Sequence, residues 1–195
     1  MTTAASSWGT IYLIRHGEKP GEPDVNAKGV DTEGASDSKS LTPRGWRRAG
    51  AWAVFFAGQG RVVPPQRIYA SNDQKEKDAE RDKEGSHSKR PIQTVTELAA
   101  RLKLNVNSDF LKGGEQDLVD AIRNLQDVAL VCWQHEAIPD IAGKLAGSNA
   151  GIPAPWPGNR FDVVWRLTRD TQTSDWEFDQ ICPQLLSGDS GLEIT

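Results

Sequence analysis

The sequence predicts an α/β fold, a parallel or mixed sheet with helices on both faces, and three observations carry that prediction. Short apolar or β-branched runs at Thr10–Ile14, Arg67–Ala70 and Val128–Trp133 read as strands. Each run is followed along the chain by a segment whose apolar residues recur at helical spacing. The third run is apolar without interruption, as in a strand covered on both faces, and such strands belong to sheets sandwiched between helices.

Thr10–Ile14 leads directly into Arg15-His16-Gly17-Glu18, so the first strand delivers polar groups to its C-terminal end. Open α/β sheets place their chemistry there. Residues 19–40 are rich in Gly, Pro, Asp and Ser without periodicity and read as a long loop of the kind that borders sites. Leu41-Thr42-Pro43-Arg44-Gly45 then opens a helix, with Thr42 to cap it, Pro43 at its first position and Trp46, Ala49, Ala53 and Phe56 as its apolar face. Pro91 to Leu102 repeats the pattern through Ile92, Val95, Ala99 and Leu102, and Gln116 to Gln126 through Leu118, Ile122 and Leu125. His135 and Glu136 follow the Val128–Trp133 strand at once, in the turn before a helix marked by Ile138, Ile141, Ala142 and Leu145. Ile152 to Gly158 is broken by prolines and is expected as surface loop. Phe161 to Leu167 and Trp176 to Phe178 read as two further strands, a hairpin turning near Asp170 to Ser174.

Length and composition bound the rest. A chain of 195 residues suits one domain with a core that needs no disulfide or metal. No apolar run approaches the ~20 residues of a membrane helix, so no membrane partner is expected. Met1 to Trp8 lacks the basic and apolar stretches of a secretion signal, which makes a cytoplasmic location the expectation. The net charge of -4 argues against a nucleic-acid partner. Asp73 to Arg90 is dense in charge, but its six Lys/Arg and six Asp/Glu cancel, so about 73–89 reads as a solvated, mobile insertion and a candidate flap. His87 within it is given no role. Cys132 and Cys182 share no metal or redox spacing and are expected as two thiols. The three His are scattered and no carboxylate cluster has ligand spacing, so neither metal nor cofactor is expected.

The polar residues at the strand ends suit phosphate chemistry. Arg15 and Arg90 keep their charge near neutral pH and can grip phosphoryl oxygens in a planar fork. His16, with an ordinary pKa of about 6.5, has a neutral fraction able to attack phosphorus. Gly17 lets the backbone approach a phosphate and can offer its N–H, and His135 can contact the same group if protonated.

Arg15-His16-Gly17-Glu18 after an apolar strand resembles the Arg-His-Gly signature of the histidine phosphatase superfamily, which includes the cofactor-dependent phosphoglycerate mutases. The Leu41-Thr42-Pro43-Arg44-Gly45 helix start is similar to the family's Leu-Thr-x-x-Gly. Ala49 agrees, Arg90, Gln93 and Thr94 match its Arg-x-x-Gln-Thr pattern, and His135 matches its second histidine. The likeness runs in order from about Thr10 to Leu145. It implies a single three-layer α/β/α sandwich with a mostly parallel sheet, phosphorylation of His16, and phosphate binding by Arg15, Arg90 and His135. It also implies a carboxylic acid for the leaving group, with Glu136 preferred and Glu115 as the alternative. A carboxyl beside a bound dianion should have its pKa raised, as a general acid needs. Glu18 is expected to orient its neighbours and is a candidate, with Trp133 and Gln134, for the substrate pocket.

Two features depart from the family pattern. Gln134 stands where Gly is usual before the second histidine, and is expected, with Trp133, to line the substrate pocket. The charged insertion separates Ser71 from Arg90, a length that loop-closure entropy tolerates at about 0.6 kcal/mol per doubling. The expected substrate is a small phosphorylated metabolite or phosphohistidine. A phosphoryl mutase and a non-catalytic phosphate-binding or scaffold protein are the alternatives, and oligomeric state is left open.

Overall fold

A computed structural model describes residues 9–58, 60–72, 88–147, 151–169 and 175–195. Residues 73–87, and with them His87 and the expected flap, lie outside the described residues, as does the expected turn at Asp170 to Ser174. Among the described residues, six strands form one sheet: β1 (Thr10–Arg15), β2 (Arg67–Ala70), β3 (Val106–Asn107), β4 (Val128–Trp133), β5 (Val164–Arg169) and β6 (Trp176–Ile181). Their order is β3-β2-β4-β1-β5-β6. The β2·β3, β2·β4 and β1·β4 pairs are parallel, and β5 and β6 add an antiparallel edge beside β1. Mostly parallel pairing was the expectation.

The four helices, α1 (Pro43–Ala57), α2 (Arg90–Leu102), α3 (Glu115–Ile122) and α4 (Ile138–Ala146), cover both faces of the sheet. Strand alternation divides the core accordingly. Tyr12, Ile14, Leu130 and Cys132 pack with Trp52, Phe56, Val95 and Leu98 under α1 and α2. Ile11, Leu13, Ala129 and Val131 pack with Leu118, Ile122, Ile141 and Leu145 under α3 and α4. These are the three expected layers. No helix among the described residues is long and apolar enough to cross a membrane, and both cysteines are free thiols.

Several boundaries differ for local reasons. Thr42 accepts a bond from Gly45 N and Pro43 opens α1 as predicted, but Trp46 is half-buried and its indole donates to Val30 O at 2.8 Å, fastening the long loop. Helix α3 ends at Ile122, short of Gln126, because Leu125 N turns back to Ile122 O at 3.1 Å. Strand β5 starts at Val164, after Phe161, because Phe161 lies against Arg15 outside the ladder. The Ile152–Gly158 stretch is more than surface: Trp156 is buried, 4.7 Å from Trp165 between ring centroids.

Candidate active site

The C-terminal ends of β1, β2 and β4 lie side by side. Arg15 pairs with Trp133, and Ala70 with Cys132. His16 N donates to Trp133 O at 3.2 Å and Ser71 N to Cys132 O at 3.3 Å. This is the crevice where parallel sheets carry their ligands, and register alone brings Arg15, His16, Gln134 and His135 to one edge.

Arg15 is almost wholly buried. Its Nη1 donates to the carbonyls of Gly158 and, at 3.4 Å, Arg160. The guanidinium lies over the Phe161 ring, with Cζ 3.7 Å from the centroid, a cation–π contact. Burial lowers its pKa and the Glu22 carboxylate opposes that, but an arginine starts high enough to keep its charge.

His16 is buried beside Arg15, and burial first, then the Arg15 charge, lower its pKa to about 3. The ring is therefore neutral. Its Nδ1 stands 2.8 Å from Gly17 O, and since a carbonyl only accepts, Nδ1 carries the proton. The lone pair is left on Nε2.

Gly17, expected to offer its N–H to phosphate, instead donates to Thr94 Oγ1 at 2.9 Å, and Thr94 Oγ1 donates to Arg90 O at 2.7 Å. The His16 loop is thus tied to the first turn of α2, which carries Arg90. The bare face of Gly17 meets α1: a Cβ there would lie 2.9 Å from Gly45 O and 3.2 Å from Gly45 Cα. Gly17→Ala is expected to push the loop off α1 and lower stability by about 1–3 kcal/mol, read by thermal denaturation. An unchanged melting temperature would refute the close-approach account.

Arg90 is held by the carbonyls of Ser38 and Ser40 and by Ser88 Oγ. Burial lowers its pKa. His135 Nδ1 lies 3.0 Å from Glu136 Oε2, and Glu136 also bonds Lys112 Nζ. The shift of Glu136 runs downward, opposite to the one expected beside a bound dianion. Bonding to His135 first, with Lys112 adding to it, holds its carboxyl well below the usual range, against partial desolvation. Glu115 accepts from Trp133 Nε1 at 2.9 Å and from Gly113 N at 3.0 Å at the start of α3.

Trp133, expected to line the pocket, is fully buried in the core under α3 and α4; its role is to hold Glu115. Gln134 is also buried, with Nε2 donating to Ser71 Oγ at 2.9 Å and Oε1 without a partner among the described residues. Glu18 lies in an ion network. It is buried, with Oε1 2.8 Å from Arg48 Nη2 and 3.1 Å from Arg44 Nε, and Arg48 continues to Asp189 through two bonds of 2.7 Å. Phe161, Thr94, Arg48, Asp189, Lys112 and Glu22 were not foreseen as parts of the site. Two of them left a signal: Thr94 ends the Arg-x-x-Gln-Thr match, and the spacing of Arg48 from Gly45 and Trp52 puts it on the buried face of α1.

No protein-family model matches the chain, and no curated protein does. Among solved structures, the protein histidine phosphatase SixA complexed with tungstate superposes with a TM-score of 0.55 at 17% identity, over 89% of this chain and 97% of that one. The chain has the fold of the histidine phosphatases. Mycobacterial hydrolase 1 superposes at a TM-score of 0.53 and 15% identity, over 88% of this chain and 96% of its own. A mycobacterial glucosyl-3-phosphoglycerate phosphatase complexed with VO3 does so at 0.51 and 13%, over 88% and 97%. Within this histidine phosphatase fold, the Arg-His-Gly segment occupies the end of the central strand β1, between the parallel part of the sheet and its antiparallel edge.

Proposed function

We propose that this protein is a metal-independent phosphatase that hydrolyses a phosphomonoester through a phosphohistidine at His16. The observation that carries the reading is the state of His16: buried, neutral, and with Nδ1 committed to Gly17 so that Nε2 holds the lone pair. Arg15, Arg90 and His135 would bind the phosphoryl oxygens. Nε2 attacks phosphorus, the P–O bond to the leaving group breaks, and that oxygen takes the pair and a proton from a carboxylic acid. Water then attacks the phosphohistidine, gives its proton to the resulting carboxylate, and Nε2 leaves with its pair as free phosphate forms.

Glu136 is the preferred acid and Glu115 the alternative. A dianion engaging His135 would remove the bond that chiefly keeps Glu136 ionised and add a like charge beside it, both of which raise its pKa. The likeness to SixA and to a glucosyl-3-phosphoglycerate phosphatase supports hydrolysis over mutase chemistry and favours phosphohistidine and small phosphorylated metabolites as the substrate classes.

The direct test is release of p-nitrophenol from p-nitrophenyl phosphate with EDTA present; no release from this or from a panel of phosphomonoesters and phosphohistidine would reject the reading. For the acid, Glu136→Gln is expected to cost about 10²–10⁴-fold in kcat on an alkyl phosphate and far less on p-nitrophenyl phosphate, whose leaving group needs little protonation. That pattern in Glu115→Gln instead would move the role to Glu115.

A further inference from the structure

One edge of the Arg15 guanidinium is incompletely used. Its Nη1 is occupied by the Gly158 and Arg160 carbonyls. The opposite edge presents Nε and Nη2, a pair that an oxyanion can take side by side. Nε is buried and has no partner among the described residues. Nη2 donates to Glu22 Oε2 at 2.9 Å, and the other Glu22 oxygen lies 3.3 Å from Lys19 Nζ. A single carboxylate therefore sits on half of the edge, and its geometry leaves the other donor unmet.

We propose that Glu22 is a charge-selecting placeholder on Arg15, one that yields to a dianionic phosphomonoester and holds its position against a monoanionic phosphodiester. The inference rests on the phosphatase reading above and adds a selectivity residue to it. Filling Nε, a buried donor whose neglect costs about 1–3 kcal/mol, is open to either ligand, since phosphodiesters and phosphomonoesters both carry two non-bridging oxygens. Charge separates them: a monoanion that displaced Glu22 would only exchange one negative charge for another, whereas a dianion brings twice the charge to Arg15 and Lys19. Glu22 is free to leave: its side chain is 38% exposed. It borders a groove of about 390 Å³ whose walls also carry Lys28, Arg44 and Arg47, cations that can receive the displaced carboxylate.

Calorimetric titration of the wild-type chain and Glu22→Gln at pH 8, with inorganic phosphate as dianion and dimethyl phosphate as monoanion, tests this. The apparent Kd is the intrinsic one divided by the fraction of molecules whose edge is free. An edge occupied about nine-tenths of the time gives the variant a roughly 10-fold tighter phosphate Kd. The variant is also expected to gain dimethyl phosphate binding that the wild type lacks. Unchanged affinities in the variant, weaker phosphate binding by it, or wild-type binding of dimethyl phosphate as tight as that of phosphate would each overturn the proposal. Failure of the phosphatase reading is distinguished by the absence of turnover in the wild type, which this titration does not use.

Discussion

His16→Ala is expected to lose at least about 10⁴-fold in kcat, as removal of a covalent nucleophile does, while inorganic phosphate still binds through Arg15, Arg90 and His135. The histidine's protonation sets the accompanying pH behaviour. Burial and the Arg15 charge lower its pKa to about 3, so the protonated, non-nucleophilic form accumulates only as pH falls toward that value and not through 6.5. The burst of p-nitrophenol that reports phosphoenzyme formation should therefore keep its amplitude from pH 7 to pH 5 in rapid-quench measurements. A burst that halves near pH 6.5, or a His16→Ala protein that retains turnover, would show that another group is the nucleophile.

The parts of the molecule legible in the sequence are those where a local pattern coincides with what the fold needs. Val128–Trp133 is buried on both sides, so an uninterrupted apolar run marked its bounds correctly. Thr42 and Pro43 form a cap whose chemistry is local, and α1 begins where they placed it. Strand β3 escaped notice because Val106–Asn107 is too short to show alternation. The Trp133 indole was misplaced because proximity in sequence to His135 says nothing about side: strand alternation turns it toward α3 and α4, under the core. Contacts across long separations left no pattern at all. The Gly158 carbonyl on Arg15 and the Asp189 carboxylate on Arg48 come from segments 143 and 141 residues away; Gly158 lies in a stretch that reads as surface loop, and Asp189 lies beyond the part of the chain that the family likeness covers.

That second contact leads to the other large effect. Glu18, Arg48 and Asp189 are all buried, and the Arg48 guanidinium uses Nε, Nη1 and Nη2 to hold both carboxylates. Arg48→Ala would leave two buried acids to Arg44, whose side chain is one-third exposed and which reaches Asp189 only at 3.4 Å. Removing one partner from a buried ion group costs about 3–5 kcal/mol, or a fall of roughly 10 °C in Tm for a chain of this size. Loss of charge pairing and loss of packing are separable by pH. Hydrogen bonding to Arg48 draws the Asp189 carboxyl down against its burial, so the stability that this pairing adds is present above the ordinary Asp range, near 3.9, and fades as pH falls below it. In the variant Asp189 is no longer drawn down and takes up a proton more readily, relieving the repulsion between the two acids. The Tm difference between wild type and Arg48→Ala should therefore narrow as pH falls from 7 toward 4. A difference that stays constant with pH would mean that Arg48 contributes only bulk. A narrowing accompanied by recovery of stability in Glu18→Gln/Arg48→Met/Asp189→Asn, without recovery of kcat, would make the ion network a device that positions the His16 loop and adds little net stability of its own.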